Sequence, residues 1–209
     1  MIPVNVLAVR YLANASPALA RGLGAPVGMP SLGMLTTDCD DATYIALDAA
    51  TKAADVQVSY GRSFYAGAAN ASTPNAGEAI GILAAATPGA VRSGMEAALS
   101  ALERLGFEET HGVPFLAHTV ASVGSFLAKE AGVSMGSAIA YLIAPPLEGM
   151  YAMDAALKAA DVKLCKLYAP PSETNFGGGL LSGTQSACQA ACSAFAAAVA
   201  EVAKQPLEK

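Results

Sequence analysis

Asp48-Ala-Ala-Thr-Lys-Ala-Ala-Asp-Val56 returns 106 positions later as Asp154-Ala-Ala-Leu-Lys-Ala-Ala-Asp-Val162, with Thr51 against Leu157 as the one difference. Alanine is common enough in this chain to match by accident. The weight therefore rests on the paired Asp48 and Asp154, Lys52 and Lys158, Asp55 and Asp161, and Val56 and Val162. Self-similarity at a fixed spacing is the signature of a duplicated chain. The 209 residues give room for two domains of about a hundred residues each, placed at 1–107 and 108–209.

The segments around each copy read alike. Ser31 to Thr36 is a short apolar run that reads as a buried strand, and Asp38-Cys39-Asp40-Asp41 then supplies a helix-start signal. An aspartate there is expected to accept from unpaired first-turn amides, with the helix running from Ala42 to Ala54. Val56 to Tyr60 and Ala79 to Leu83 read as strands, and Thr87-Pro88 opens a second helix that reaches Leu105. The second half repeats the order: strand Ala138–Ala144, helix Pro146–Ala160, strands Val162–Tyr168 and Gly179–Ser182, and helix Thr184–Ala203. Met1–Arg10 and Pro114–Val123 take matching places as a leading strand. The class implied is α/β (α+β), with a small, mostly antiparallel sheet and helices packed on it in each half.

Composition narrows the function. Hydrophobic residues make up 54% and charged residues 14%, against about 25% charged in ordinary domains. So few charges point to a membrane protein or to a soluble one that hides its surface in an assembly. A span needs about 20 mostly apolar residues. The longest uncharged run, Thr174 to Ala200, is interrupted by Asn175, Gln185, Gln189 and several glycines, which favours assembly. Met1-Ile2-Pro3-Val4-Asn5-Val6 carries no basic segment leading into an apolar stretch, so a cytoplasmic protein is expected. A net charge of -5 gives no footprint for nucleic acid. Cys39, Cys165, Cys188 and Cys192 are too few and scattered for a disulfide framework; they read as small buried side chains.

Several motifs match a chemistry on paper without its context. Gly132-Val-Ser-Met-Gly136 fits G-x-S-x-G, but a nucleophile elbow needs a strand before and a helix after the serine, and here a strand follows. His111 and His118 have no acid or nucleophile at a recognisable spacing. Gly177-Gly-Gly179 lacks the Gly-Lys-Ser/Thr of a phosphate loop; its glycines suit close backbone approach or a moving loop. Asp38, Asp40 and Asp41 lack the glycine and distal glutamate of an EF-hand. Asn14-Ala-Ser16 and Asn70-Ala-Ser72 are glycosylation sequons that a cytoplasmic chain would not use. Glu148 and His118 are isolated and define no metal site. No cofactor and no catalysis are expected.

Ser31-Leu-Gly-Met-Leu35, leading to a helix that ends Lys52-Ala-Ala-Asp-Val56, resembles the bacterial microcompartment shell domain. That family's signature is a Leu-Gly-Met strand followed by an Asp-x-x-x-Lys-Ala-Ala helix. Two such domains, each led by an extra strand, resemble its circularly permuted tandem type. Asp41-Ala-Thr-Tyr-Ile45, Tyr60-Gly-Arg-Ser-Phe-Tyr-Ala-Gly-Ala68, Phe115-Leu-Ala-His118, Ala144-Pro-Pro-Leu-Glu148 and Pro170-Pro-Ser-Glu-Thr-Asn-Phe176 are similar to its ethanolamine-utilisation branch. A propanediol-type tile is the runner-up within the family, and a soluble small-molecule sensor on the same duplicated unit is the rival outside it.

The resemblance implies a homotrimer whose six domains imitate a hexamer, tiling edge to edge with other shell proteins around encapsulated enzymes. It also implies a gated central pore and one small channel per subunit. Lys52 and Lys158 match the family's edge lysines, which are expected near trimer-trimer contacts while still pairing with Asp48 and Asp154. The channel pocket falls on Asp40, Asp41, Glu78, Phe107, Thr174, Asn175 and Phe176, drawn from both repeats. Phe176 departs from the family alternative of tyrosine, which removes a hydroxyl. Carboxylates and an aromatic face suit a small ammonium, and Thr174 and Asn175 suit a hydroxyl. The ligand expected is a small amino alcohol such as ethanolamine.

Overall fold

The computed structural model describes residues 1–63, 78–170 and 175–207. Sixteen elements follow one another among them: β1 (Ile2–Pro3), β2 (Val6–Leu12), α1 (Pro17–Gly22), β3 (Ser31–Thr37), α2 (Asp40–Ala53), β4 (Gln57–Ser63), β5 (Ala79–Ala85), α3 (Pro88–Leu102), β6 (Gly106–Thr110), β7 (Val113–Val120), α4 (Ser125–Ala131), β8 (Ala138–Ala144), α5 (Pro146–Ala159), β9 (Val162–Tyr168), β10 (Gly177–Gly183) and α6 (Gln185–Lys204). They group into two compact units. The N-terminal unit holds Pro3–Gly106 with Gly124–Leu127, and the C-terminal unit holds Met1–Ile2, Phe107–Val123 and Ala128–Lys209.

In the N-terminal unit four strands run in the order β2-β3-β5-β4, with antiparallel β2-β3, β3-β5 and β5-β4 ladders. Side chains alternate across β3, so its two faces meet different partners. Leu32 and Met34 pack with Leu12, Ala15, Ala20 and Leu23 around α1. On the other face Gly33 lies so near α3 that an added Cβ would sit 2.6 Å from Val91 Cγ1. Gly81 on β5 leaves the same kind of space for Leu47 of α2.

The C-terminal unit repeats this plan. Its strands run β7-β8-β10-β9, the counterpart of β2-β3-β5-β4, and β6 and β1 extend the sheet beyond β7. The C-terminal part of the uncharged stretch singled out in the sequence lies in the core helix α6. It is long and apolar enough to cross a membrane by length and composition, yet Cys188, Ala191, Cys192, Phe195 and Val199 are buried against β7, β8, β10 and α5. The Gly177–Gly179 run lies inside a strand. Gly178, at φ 156°, is held against the Leu142 carbonyl of β8, and a Cβ at Gly149 would come within 2.7 Å of Gly177 O. Close backbone approach, the first of its two sequence readings, is what the glycines serve.

Four local expectations need correction. Helix α2 begins at Asp40, with Cys39 at its N-cap and no side-chain cap bond. Asp38 cannot serve as that cap, because its carboxylate already accepts Asn5 N at 2.8 Å and Asn5 Nδ2 at 2.7 Å. Helices α1 and α4 were not anticipated, although Ser16-Pro17 is a standard start: Ser16 Oγ accepts Leu19 N at 3.3 Å and proline takes the first helical position. The β6-β7 hairpin was missed too. His111 (φ 48°) and Gly112 (φ 79°) are its two turn residues, both left-handed as a type I′ turn requires.

Candidate functional site

Three of the sequence-derived pocket residues belong to one end of the N-terminal sheet. Thr37 of β3 and Ser63 of β4 both register against Ala79 of β5. Asp38 leaves β3 and Glu78 enters β5 at that end, where the Glu78 amide donates to Thr37 O at 2.8 Å. Helix α2 starts two residues later and places Asp40 and Asp41 in its first turn. Carboxylates there lie at the positive end of the helix dipole.

The environment differs for each acid. Asp40 and Asp41 are buried. Asp40 Oδ2 accepts the Ser63 hydroxyl at 2.6 Å and Oδ1 accepts the Asp41 amide at 2.9 Å. Beneath them Thr37 Oγ1 and Thr43 Oγ1 share a buried hydrogen bond at 2.6 Å. Glu78 is exposed by surface area but stands partly enclosed beside its neighbours. Burial, then the charges of Asp40 and Asp38, push its carboxyl above the usual glutamate range. A group with those neighbours is eased by a cation, since opposite charge offsets both desolvation and repulsion. Ser63 and Asp38 were not foreseen as participants; the legible signal was Asp38 lying two residues before Asp40.

The two aromatic residues of the sequence-derived set lie in the C-terminal unit. Phe107 on β6 and Phe176, just ahead of β10, bring their rings to 5.8 Å between centroids at 49°, within the range of tilted aromatic pairs. Both are half-buried and Asn175 is exposed. Thr174 lies outside the described residues, as do Phe64–Ala68 and Pro171–Glu173 of the family-like stretches.

The two lysines diverge. Lys52 Nζ lies 3.2 Å from the buried Asp48 carboxylate, and Lys158 Nζ lies 2.6 Å from an exposed Asp154. The G-x-S-x-G stretch is the turn between α4 and β8. Gly132 and Gly136 take φ 65° and 85°, and a strand follows the serine. Cys188 and Cys192 are buried; burial pushes the Cys192 thiol up to about 11 against the easing effect of its hydrogen bond with Thr119 Oγ1 at 3.3 Å. Among the described residues no group of three or more His, Cys, Asp or Glu side chains is arranged to hold a metal.

Comparison with known proteins gives this geometry a setting. A family model described as the BMC domain matches residues 31–115. The chain is 56% identical over 211 residues to a Clostridium perfringens protein named bacterial microcompartment shell protein EutL, covering 99% of this chain and 97% of that one. It is 46% identical to the Escherichia coli protein of that name, over 100% of this chain and 97% of the other. The crystal structure of ethanolamine utilization protein EutL from Leptotrichia buccalis superimposes with a TM-score of 0.95 at 55% identity, covering 100% of this chain and 98% of that one.

Proposed function

This chain belongs to the bacterial microcompartment shell proteins, in the EutL group, and on that premise we propose that it is a non-catalytic tile of such a shell in ethanolamine utilisation. Three copies, each of two shell domains (1–107 and 108–209), form a ring with a gated central pore inside the bacterial cytoplasm. The tile meets other shell proteins edge to edge, with Lys52 and Lys158 near the contacts. The charge-poor composition supports burial of its flanks in such an assembly.

The tile also binds a small amino alcohol, with ethanolamine as the ligand. Asp40, Asp41 and Glu78 attract the ammonium. The Phe107 and Phe176 rings offer an aromatic face, and Thr174 and Asn175 hydrogen-bond the hydroxyl. The observation that carries this reading is the gathering of the buried Asp40 and Asp41 with Glu78 at one end of the N-terminal sheet, where burial and the neighbouring aspartates raise the Glu78 carboxyl and a cation would relieve them.

Two experiments test it. Electron microscopy of concentrated protein is expected to show flat ordered sheets; discrete particles at every concentration would count against a tile. Calorimetry with ethanolamine is expected to show binding that Asp40→Ala and Glu78→Ala each abolish. Unchanged affinity in both variants would remove the pocket.

A further inference from the structure

Strands β3 and β4 end, and β5 begins, at one level of the N-terminal sheet. Thr37 of β3 and Ser63 of β4 both pair with Ala79 of β5, and residues opposite one another in a sheet present their side chains to the same face. That face meets the first turn of α2. Ala79 is small and fully buried, and the hydroxyls on either side of it reach the helix. Ser63 Oγ donates to Asp40 Oδ2 at 2.6 Å, a length typical of a hydroxyl on a carboxylate. Thr37 Oγ1 lies 2.6 Å from Thr43 Oγ1 and accepts the Cys39 amide at 3.3 Å, while Thr43 Oγ1 donates to Cys39 O at 2.7 Å. Cys39 supplies no side-chain cap to α2, and these hydroxyls hold the turn instead.

The repeat shows that the fold does not need them. At the spacing of 106 that joins Asp48 to Asp154, Asp40, Thr43 and Ser63 become Pro146, Gly149 and Ala169, and the strand register makes Ala144 the counterpart of Thr37. The copy builds the same strand order and the same helix with no carboxylate and no hydroxyl at any of the four positions. Its helix closes on backbone: a Cβ at Gly149 would stand 2.7 Å from Gly177 O. Acid and hydroxyls are present together in one half and absent together in the other, so the hydroxyls belong with the acid rather than with the fold.

Both oxygens of that acid are held. Oδ1 accepts the Asp41 amide at 2.9 Å and Oδ2 the Ser63 hydroxyl. Donors on two different oxygens fix the plane of a carboxylate, and each oxygen keeps a second lone pair for a ligand N–H.

We propose that Ser63 is a positioning residue of the amino-alcohol site, holding the Asp40 carboxylate in the one orientation in which it receives the ammonium. The Thr37–Thr43 pair supports it from beneath, by fixing the turn on which Asp40 stands. This role rests on the binding reading above, in which Asp40 is one of the acids that attract the ligand. A carboxylate fixed before binding loses less freedom when the ammonium arrives.

Calorimetry with ethanolamine tests it on the unaltered chain, Ser63→Ala and Ser63→Thr, with thermal melting as the fold control. Alanine is what the copy carries at this place, so Ser63→Ala is expected to fold, with at most a small drop in melting temperature, and to bind about tenfold more weakly. Ser63→Thr keeps the hydroxyl and is expected to retain its affinity to within about threefold. Undiminished affinity in Ser63→Ala, or an equal loss in Ser63→Thr, would overturn the role of the hydroxyl. A Ser63→Ala chain that does not fold would make the bond a part of the fold and overturn that role as well. An unaltered chain with no affinity for ethanolamine would instead remove the binding reading, and the positioning with it.

Discussion

Asp48 and Asp154 hold the same place in the repeated helix segment, yet Asp48 is sealed from solvent with a backbone amide on each carboxylate oxygen, and Asp154 stands in the open with Lys158 at 2.6 Å. The duplication preserved the residue and changed what it touches. A buried carboxylate that satisfies two amides is a fixed structural part, whereas an exposed acid-lysine pair contributes little to folding.

Removing the Asp48 carboxylate leaves the Gly124 and Leu127 amides without their acceptor, so Asp48→Ala is expected to cost about 3 kcal/mol of folding stability. Thr51→Ala, which removes the acceptor for Ser125 alone, is expected to cost about 1 kcal/mol. Urea denaturation of both variants beside the unaltered chain gives the comparison. Equal midpoints for Asp48→Ala and the unaltered chain would contradict the assigned role.

Glycines in the chain separate into those that hold space and those that do not. A Cβ on Gly178 would run into the Leu142 backbone at a left-handed φ, and backbone cannot step aside. Gly178→Ala is expected to yield no stable fold. Gly89, in the first turn of α3, has nothing within 4 Å of the same position; Gly89→Ala is expected to raise stability by about 0.5 kcal/mol through the unfolded chain. Thermal melting distinguishes the two outcomes.

Glu78 links stability and binding to pH. Its carboxyl titrates above the ordinary glutamate range in the folded chain, so across the interval between the two values the folded chain holds more protons than the unfolded one. Stability therefore falls as pH rises through that interval, and Glu78→Gln is expected to flatten the fall and be the more stable protein above it. A bound ammonium favours the carboxylate, so ethanolamine is expected to bind more weakly on acidification and to release protons. Calorimetry in buffers of different ionisation enthalpy reads that release; a buffer-independent heat at a pH within the interval would contradict it.

The duplicated plan could be read from the chain because it depends on local chemistry. Alternating and periodic apolar residues, Thr87-Pro88 and Thr184 as helix starts, and the nine-residue repeat each report on neighbours a few positions away. Strands β8 and β9 ran where the pattern placed them. Short helices α1 and α4 carried too few apolar positions to show a period, and the β6-β7 hairpin depended on two left-handed residues in a segment with little pattern.

Tertiary structure alone decided what identical residues do. The sequence contains Asp-Ala-Ala-x-Lys twice and marks neither aspartate as special; burial under Gly124–Leu127 makes one a structural anchor and leaves the other exposed. Likewise, Asp38, Asp40 and Glu78 become one charged group because strand pairing brings residues forty positions apart in the chain to one sheet end, and Ser63 joins them through the same register. The physical reason is that a hydrogen bond or a charge interaction depends on distance in space and on exclusion of water, and neither is fixed until the strands have paired and the helices have packed.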